Sequence, residues 1–160
     1  MTMMNKLYTD SNTVTYLFNY ALDHGIAFET TYDLHKETPS CSVPSKRKMV
    51  INLNTDEEEL PFQISHEIGH ILNKDFGKQF YCGESSSSPV EVKATQTGIK
   101  ILADYYFYDV PKEDWNIDNF MLYYCIPASY KDWIIEYLAT KWLMLRFNLR
   151  ARFNNWKEIY

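Results

Sequence analysis

At residues 64–72 the chain has the sequence Ile-Ser-His-Glu-Ile-Gly-His-Ile-Leu, in which two histidines four positions apart enclose a glutamate. On an α-helix, His66 and His70 project from one face, so both imidazoles can bind one metal ion while Glu67 lies beside them. Two neutral imidazoles and a third protein ligand suit zinc, and they leave one position open for a water whose pKa falls to about 7. Glu67 is then placed to act as the general base that takes a proton from this water.

The residues around this pattern favour a helix with one buried face. Leu60, Ile64, Ile68 and Ile71 recur at helical spacings, which predicts an apolar face distinct from the one that carries the histidines. Gly69 costs a helix interior about 1 kcal/mol relative to alanine, so we expect another backbone to approach closely there. The alternative interpretation is a pair of ordinary surface histidines beside a solvated charge.

Composition limits the class of protein. A chain of 160 residues that is 46 % apolar and 16 % aromatic has enough material for a folded domain with a core. The net charge of −5 does not favour general binding to nucleic acids. Three widely spaced cysteines without a Cys-x-x-Cys pair favour a reducing cytoplasm. Because the chain has neither the apolar run of a signal peptide nor about 18 consecutive apolar residues, we expect a cytoplasmic protein without a membrane span.

The segment before the histidines predicts one helix followed by two or three short strands. The helix is expected to start at a cap formed by Asp10 or Ser11 and to end at Gly25. Alternation predicts a strand over 26–32, a weak strand over 40–43 and a third over 48–53, with a turn at 44–47. The third strand or its hairpin partner could hold a peptide extended at the edge of the sheet. Pro61 predicts that the histidine-bearing helix begins near that residue.

A metal site of this kind needs a third ligand. The extended pattern with a third histidine requires glycine at position 73 and histidine at position 76, where the chain has Asn73 and Phe76. Residues 73–89 are expected to form mostly a loop, and a second helix then begins with Ser88 as its cap and Pro89 in its first turn. Glu91, in that first turn, is therefore the candidate third ligand.

The placement of Glu91 has support and a competing explanation. Ala94 and Gly98 fall on nearly the same helix face, and such small residues let this helix pack against the one that contains Gly69. The competing account is that Glu91 is only the third-position glutamate of a capping box. Four other donors are weaker candidates because of their position in the chain, namely Asp75, Cys82, Glu84 and His35.

The sequence motifs of this chain resemble those of the ImmA/IrrE-type metallopeptidases of bacteria and phages. The resemblance runs from the first helix to about Pro111 and rests on Val50-Ile51-Asn52, on the His66–His70 pattern, on Glu91-x-x-Ala94 and on Ile101-Leu102. The chain has Thr95, Thr97 and Gly98 where the family usually has asparagine and then phenylalanine-alanine. The resemblance implies a zincin-like core in which His66, His70 and Glu91 hold zinc and Glu67 is catalytic.

The resemblance also implies a cytoplasmic peptidase of narrow specificity. Well-known members of that family cleave or inactivate helix-turn-helix repressors, and so switch on phage, mobile-element or stress genes. The expected partner is therefore a helix-turn-helix transcriptional repressor. Two alternatives stay open, a metal-containing protein that binds a repressor without proteolysis and a DNA-binding regulator that uses the C-terminal helices.

The C-terminal third is predicted to be helical and aromatic. One helix is expected over 117–125, a turn over 126–129 with Ser129 as a cap, and a second helix over 130–147 with an inward face that includes Trp133, Ile134, Tyr137, Leu138 and Leu145. This arrangement has the shape of a helix-turn-helix. The sequence does not favour binding of a nucleic acid, since groove binding requires several cations with few opposing acids and this helix contains Asp132 and Glu136. Residues 141–160 carry a net charge of +4, which favours a solvated helix or a protein-docking face.

The predicted architecture is thus α+β. Residues 1–110 form a zincin-like metallopeptidase domain with an N-terminal helix, a sheet of two or three strands, the histidine-bearing helix and the helix of Glu91. Residues 111–160 form a helical extension that packs on this core. The predicted cofactor is Zn²⁺, and the oligomeric state is not predicted.

Overall fold

The computed structural model describes the backbone of residues 3–75 and 88–157, and the side chains of residues 12–75 and 88–144. Within these ranges the chain is α+β, with five α-helices and one three-stranded mixed sheet. The helices are α1 (Met3–Asp23), α2 (Leu60–Leu72), α3 (Pro89–Tyr106), α4 (Ile117–Tyr123) and α5 (Lys131–Lys157); the strands are β1 (Ala27–Thr31), β2 (Cys41–Val43) and β3 (Lys48–Asn52). None of the described helices is both long enough and apolar enough to span a membrane.

Helix α1 begins earlier than predicted but ends where expected. It starts at Met3, so the predicted cap at Asp10 or Ser11 is wrong. Residues 3–10 contain neither glycine nor proline, and nothing in that stretch interrupts the helical backbone. At the other end Gly25 has a φ of +65°, a left-handed conformation that glycine adopts without strain and that turns the chain into β1.

The sheet places its shortest strand at an edge. Its order is β1-β3-β2, with β1 parallel and β2 antiparallel to the central β3. Ala27 lies opposite Lys48 in the parallel pair, and Cys41 lies opposite Val50 in the antiparallel pair. Because β3 has a neighbour on each side, its hairpin partner β2 is the edge strand next to α2. The turn between them is a short 3₁₀ helix that ends at Arg47 in a left-handed conformation.

Helices α2 and α3 are in unusually close contact. A Cβ atom added at Gly69 would lie against the carbonyl oxygen of Ala94, 3.0 Å from its carbonyl carbon. A Cβ atom at Gly98 would lie 2.8 Å from the carbonyl carbon and oxygen of Ser65. Since each glycine faces the backbone of the other helix, the prediction of a close approach at Gly69 is confirmed. The prediction that α2 begins near Pro61 is also confirmed, because Pro61 lies in its first turn.

The C-terminal helices share a hydrophobic core with the rest of the chain. Phe120 of α4, Tyr124 directly after it and Ile134 of α5 belong to the same buried cluster as Leu17 of α1 and Ile68 of α2. The predicted inward face of α5 is confirmed for its four described members: Ile134 and Leu138 are buried, and Trp133 and Tyr137 are half-buried. Leu145 lies outside the described side chains. The division of the chain at residue 110 stays a prediction.

A polar contact also joins α5 to α3. Asp104 of α3 accepts a hydrogen bond from the Tyr137 hydroxyl at 3.1 Å and pairs with the Lys141 ammonium group. The Nζ atom of Lys100, one turn earlier on α3, lies 5.7 Å from the centre of the Trp133 ring. The helix of 27 residues continues to Lys157, ten residues beyond its predicted end at 147. Its start is also displaced, because a 3₁₀ turn over Ala128–Tyr130 occupies the place of the predicted Ser129 cap.

The glycine contacts make a prediction for stability. Replacing Gly69 or Gly98 with alanine should lower the free energy of unfolding by roughly 2 kcal/mol, because the added methyl group forces two backbones apart. Urea unfolding followed by circular dichroism measures this change. Gly25→Ala is the control: no atom lies within 4 Å of its added Cβ, so only the backbone strain of about 1 kcal/mol should appear. An increase in stability for Gly69→Ala or Gly98→Ala, as alanine gives in an open helix, would contradict the close packing.

Candidate metal centre

Three potential ligand atoms from α2 and α3 converge on one point. The Nε2 atoms of His66 and His70 are 3.0 Å apart, and Glu91 Oε2 lies 3.0 Å from the first and 3.4 Å from the second. Ligands around a tetrahedral zinc ion with bonds of 2.0–2.1 Å are separated by about 3.3 Å. The three distances therefore match one face of a tetrahedral site. Within the described residues this is the one group of three or more histidine, cysteine or acidic side chains that can hold a metal ion.

Local structure explains how each of these side chains reaches the site. His66 and His70 are one turn apart on α2, as the motif predicts. Glu91 lies in the first turn of α3, where Ser88 caps the helix and accepts a hydrogen bond from the Glu91 backbone N–H at 3.3 Å. The Glu91 carboxylate lies against the two imidazoles, so the residue both follows a capped helix start and faces the histidines. The contact between α2 and α3 sets the distance between these groups.

Each imidazole is also held through its second nitrogen. Asp75 Oδ2 lies 3.1 Å from Nδ1 of His70, and Thr95 Oγ1 lies 3.1 Å from Nδ1 of His66. Such partners orient metal-binding imidazoles. Sequence reasoning missed both residues. Asp75 follows His70 by only five positions, which makes it a weak candidate ligand, and the sequence around Thr95 carries no signal for a contact with His66.

The chemistry of the three potential ligand groups itself favours a bound cation. When His70 donates its Nδ1–H to Asp75, its Nε2 lone pair faces the Glu91 carboxylate oxygen at 3.4 Å. The second oxygen of that carboxylate, Oε1, is buried and has no hydrogen-bond partner among the described residues. Two acceptors that face each other in a buried place repel unless a proton or a metal ion lies between them. A bound divalent cation would remove this repulsion.

Burial shifts the pKa values of two groups at the site. The pKa of His66 falls to about 4 because burial disfavours the imidazolium form and His70 lies nearby. The ring is therefore neutral at physiological pH, as a metal ligand must be. Burial, with a smaller contribution from Glu91, raises the pKa of the Glu67 carboxyl to about 8, although a hydrogen bond with Ser42 acts in the opposite direction. A cation beside Glu67 would favour its ionised form and lower this pKa.

Ser42 connects the edge strand to the centre. Its side chain, on β2, forms a hydrogen bond with the carboxyl group of Glu67, a residue that is 7 % exposed. Nothing in the sequence singled out this serine, because β2 has only three residues and its register was not predictable. The contact shows that the edge strand passes directly beside Glu67.

The other candidates do not join this cluster. His24, one of the two remaining histidines of the chain, donates from Nδ1 to the Tyr20 carbonyl at 2.8 Å and stacks on the Tyr20 ring at the end of α1, which is a structural role. His35 is exposed and accepts a hydrogen bond from the backbone of Glu37. Cys82 and Glu84, together with most of the predicted loop over 73–89, lie outside the described residues. Of the cations expected in the basic C-terminal segment, the side chain of Lys141 is described, and it pairs with Asp104.

Comparison of the chain with protein-family models, with curated proteins and with solved structures gives no match. The resemblance to the ImmA/IrrE-type metallopeptidases therefore rests on sequence motifs alone. The case for a metal centre is independent of that resemblance, because it rests on the converging ligand atoms and their burial.

The geometry predicts the metal content of the protein. Wild-type protein should bind one zinc ion per chain, whereas His70→Ala and Glu91→Ala should bind it weakly or not at all, since each loses one of three ligands. Elemental analysis after incubation with zinc and gel filtration measures the ratio. Glu67→Gln is the matched control, because Glu67 lies beside the ligands without being one of them and should retain the ion. Full zinc content in both ligand variants would show that the ion binds elsewhere.

The pKa of Glu67 predicts how stability depends on pH in the metal-free protein. The carboxyl group stays protonated up to about pH 8 when folded, but ionises near pH 4.5 when unfolded. Its contribution to stability is therefore lost as pH rises toward 8. His66 makes the folded state more stable as the pH rises from 4 to 6.5, because only the unfolded chain binds its proton in that range. Above pH 6.5 its contribution to stability is constant, since it is neutral in both states. Between pH 6.5 and 8 the wild type should lose roughly 2 kcal/mol relative to Glu67→Gln.

Urea unfolding in the presence of a chelator, at pH 6.5 and at pH 8, measures this difference. The comparison with Glu67→Gln removes the contributions of the other titrating groups, which both proteins share. Parallel pH profiles for the two proteins would show that Glu67 is not held protonated.

Proposed function

We propose that the protein is a zinc-dependent endopeptidase with a zincin-like core, similar to the ImmA/IrrE-type enzymes. One observation carries this proposal: a buried glutamate, Glu67, lies beside a triangle of two imidazole nitrogens and a carboxylate oxygen. A metal site with three protein ligands leaves a coordination position for a water or a substrate, whereas a purely structural zinc site is closed by four. A base beside an incomplete coordination shell is the arrangement that hydrolysis requires.

The roles of the residues follow from their chemistry. His66, His70 and Glu91 would hold the ion, which when bound supplies a Lewis acid that polarises a peptide carbonyl and acidifies water. Glu67 takes the proton of the attacking water and delivers it to the leaving amine nitrogen. Ser42 orients the Glu67 carboxylate through its hydrogen bond. Burial keeps bulk water away from this carboxylate, so the proton is transferred within the site.

The sheet supports a protein substrate rather than a small molecule. β2 has β3 on one side only, so its other edge can pair with an extended peptide through main-chain hydrogen bonds. Because Ser42 of that strand touches Glu67, a peptide paired with β2 would pass beside the catalytic carboxylate. Such pairing holds any sequence extended, and side-chain pockets or a second contact then set the specificity.

The proposed substrate is a helix-turn-helix transcriptional repressor in the cytoplasm, and its cleavage would release phage, mobile-element or stress genes. This part of the proposal rests on the sequence resemblance. A narrow substrate of this kind also defines the assay, since a general substrate such as casein need not be cleaved. The relevant candidates are repressors encoded beside the protein.

The catalytic role of Glu67 predicts the loss of cleavage in one variant. Zinc-loaded Glu67→Gln should cleave a repressor substrate at least about 100-fold more slowly than the wild type, because the amide cannot accept the proton. Mass spectrometry of the products identifies the cleaved bond and its rate of appearance. Glu57→Gln, which changes an exposed glutamate just before α2, should cleave like the wild type.

Two results would contradict hydrolysis by this site. New peptide termini that appear equally fast with Glu67→Gln would assign the cleavage to a contaminating protease. Inactivation of the repressor by the wild type and by Glu67→Gln alike, with the repressor intact, would instead identify a protein that acts by binding.

A further inference from the structure

We propose that Asp75 is a positioning residue for the metal centre: its carboxylate holds the His70 imidazole with the proton on Nδ1 and the lone pair of Nε2 directed to the ion. The proposal rests on the metal site proposed above. It concerns the affinity of that site for its ion and is independent of the reaction the ion serves.

The contact itself is short and protected from water. Asp75 Oδ2 is 3.1 Å from Nδ1 of His70, and the two side chains are only 14 % and 10 % exposed. A carboxylate that is ionised can only accept, so the ring nitrogen that faces it must carry the proton. In the neutral ring, a proton held on Nδ1 by this shorter contact leaves the lone pair on Nε2, which faces Glu91 and His66.

The backbone after α2 brings Asp75 back to His70. On a continuous helix, a residue five positions later would lie about 140° around the axis from His70. Instead Lys74 adopts a left-handed φ of +58°, and the N–H groups of Asp75 and Lys74 donate to the carbonyls of His70 and Ile71 at 3.2 Å each. This is the Schellman pattern that ends many helices, usually with glycine in the left-handed position.

Because residue 74 is a lysine and not a glycine, its left-handed conformation costs conformational free energy. A residue other than glycine in the left-handed region loses roughly 1 kcal/mol or more. Asp75 compensates with two contacts to the same residue, one from its backbone N–H to the His70 carbonyl and one from its carboxylate to the His70 ring. The conformation at the end of α2 therefore holds the Asp75 carboxylate against the His70 imidazole.

The second imidazole lacks this constraint. Thr95, the partner of His66 Nδ1, has a hydroxyl group that can either donate or accept, so it does not select one tautomer. Of the two histidines, only His70 has a carboxylate at Nδ1, the nitrogen away from the proposed ion; the carboxylate beside His66, that of Glu91, faces Nε2 instead. We therefore expect loss of Asp75 to weaken metal binding more than loss of Thr95.

The test uses the full chain and two readouts. In the metal-free protein at pH 8, ¹⁵N chemical shifts of the His70 ring should show the Nδ1–H form in the wild type and a shift toward the Nε2–H form in Asp75→Ala. Competition with a chromogenic chelator should show zinc affinity lowered 10- to 100-fold in Asp75→Ala. Asp75→Asn, which keeps the shape of the side chain, serves if the alanine variant fails to fold, and should show an intermediate loss.

Matched variants separate a positioning role from a structural one. Lys74→Gly relieves the left-handed residue and keeps the Asp75 contact, so both the tautomer and the zinc affinity should stay as in the wild type. Thr95→Val should lower the affinity less than Asp75→Ala. An unchanged tautomer together with zinc affinity within about twofold of the wild type, in Asp75→Ala or Asp75→Asn, would overturn the proposal.

The two proposals fail in different ways. A wild type that binds no zinc would remove the metal centre and with it the role of Asp75 toward an ion, even with the tautomer as expected. A wild type that binds zinc, with Asp75 variants that bind it equally well, would overturn only the role of Asp75.

Discussion

The close contact between α2 and α3 is the constraint on which the site depends. Gly69 precedes His70, a potential ligand, and Ala94, the residue it faces, lies one helical turn beyond Glu91. The separation of the two helix axes therefore determines whether the Glu91 carboxylate reaches the imidazoles. A side chain larger than hydrogen at Gly69 or Gly98 would push against a backbone, which cannot move aside as a flexible side chain can. Two glycines thus set the spacing of the potential ligand atoms without touching them.

The site carries an electrostatic cost that a cation would remove. Glu67 is protonated at neutral pH in the metal-free protein, His66 is held neutral, and one oxygen of Glu91 is buried without a partner among the described residues. Each of these groups interacts more favourably with a positive charge than with the apolar surroundings. Binding of a metal ion here would therefore be coupled to folding, since an ion that binds only the folded chain stabilises it.

Helix α3 links this centre to the C-terminal helices. Glu91 is near its first turn and Asp104 near its last, about 20 Å away along the axis at 1.5 Å per residue. At the far end Asp104 meets Tyr137 and Lys141 of α5, while the buried rings of Phe120 and Tyr124 join the core that α2 also enters. The C-terminal helices therefore support the same element that presents the third potential ligand.

The sequence by itself determined the elements whose signals are local. The helical spacing of apolar residues, the glycine at the end of α1, the prolines in the first turns of α2 and α3 and the pairing of His66 with His70 all depend on neighbours within one or two turns. It also pointed to Glu91, through the small residues on the same helix face. Only the tertiary structure decided that β2 is the edge strand, that Ser42 touches Glu67 and that Asp75 returns to His70. These contacts depend on strand order and on one left-handed residue, Lys74, whose conformation follows from packing and hydrogen bonding at the helix end and has no signature in its amino-acid type.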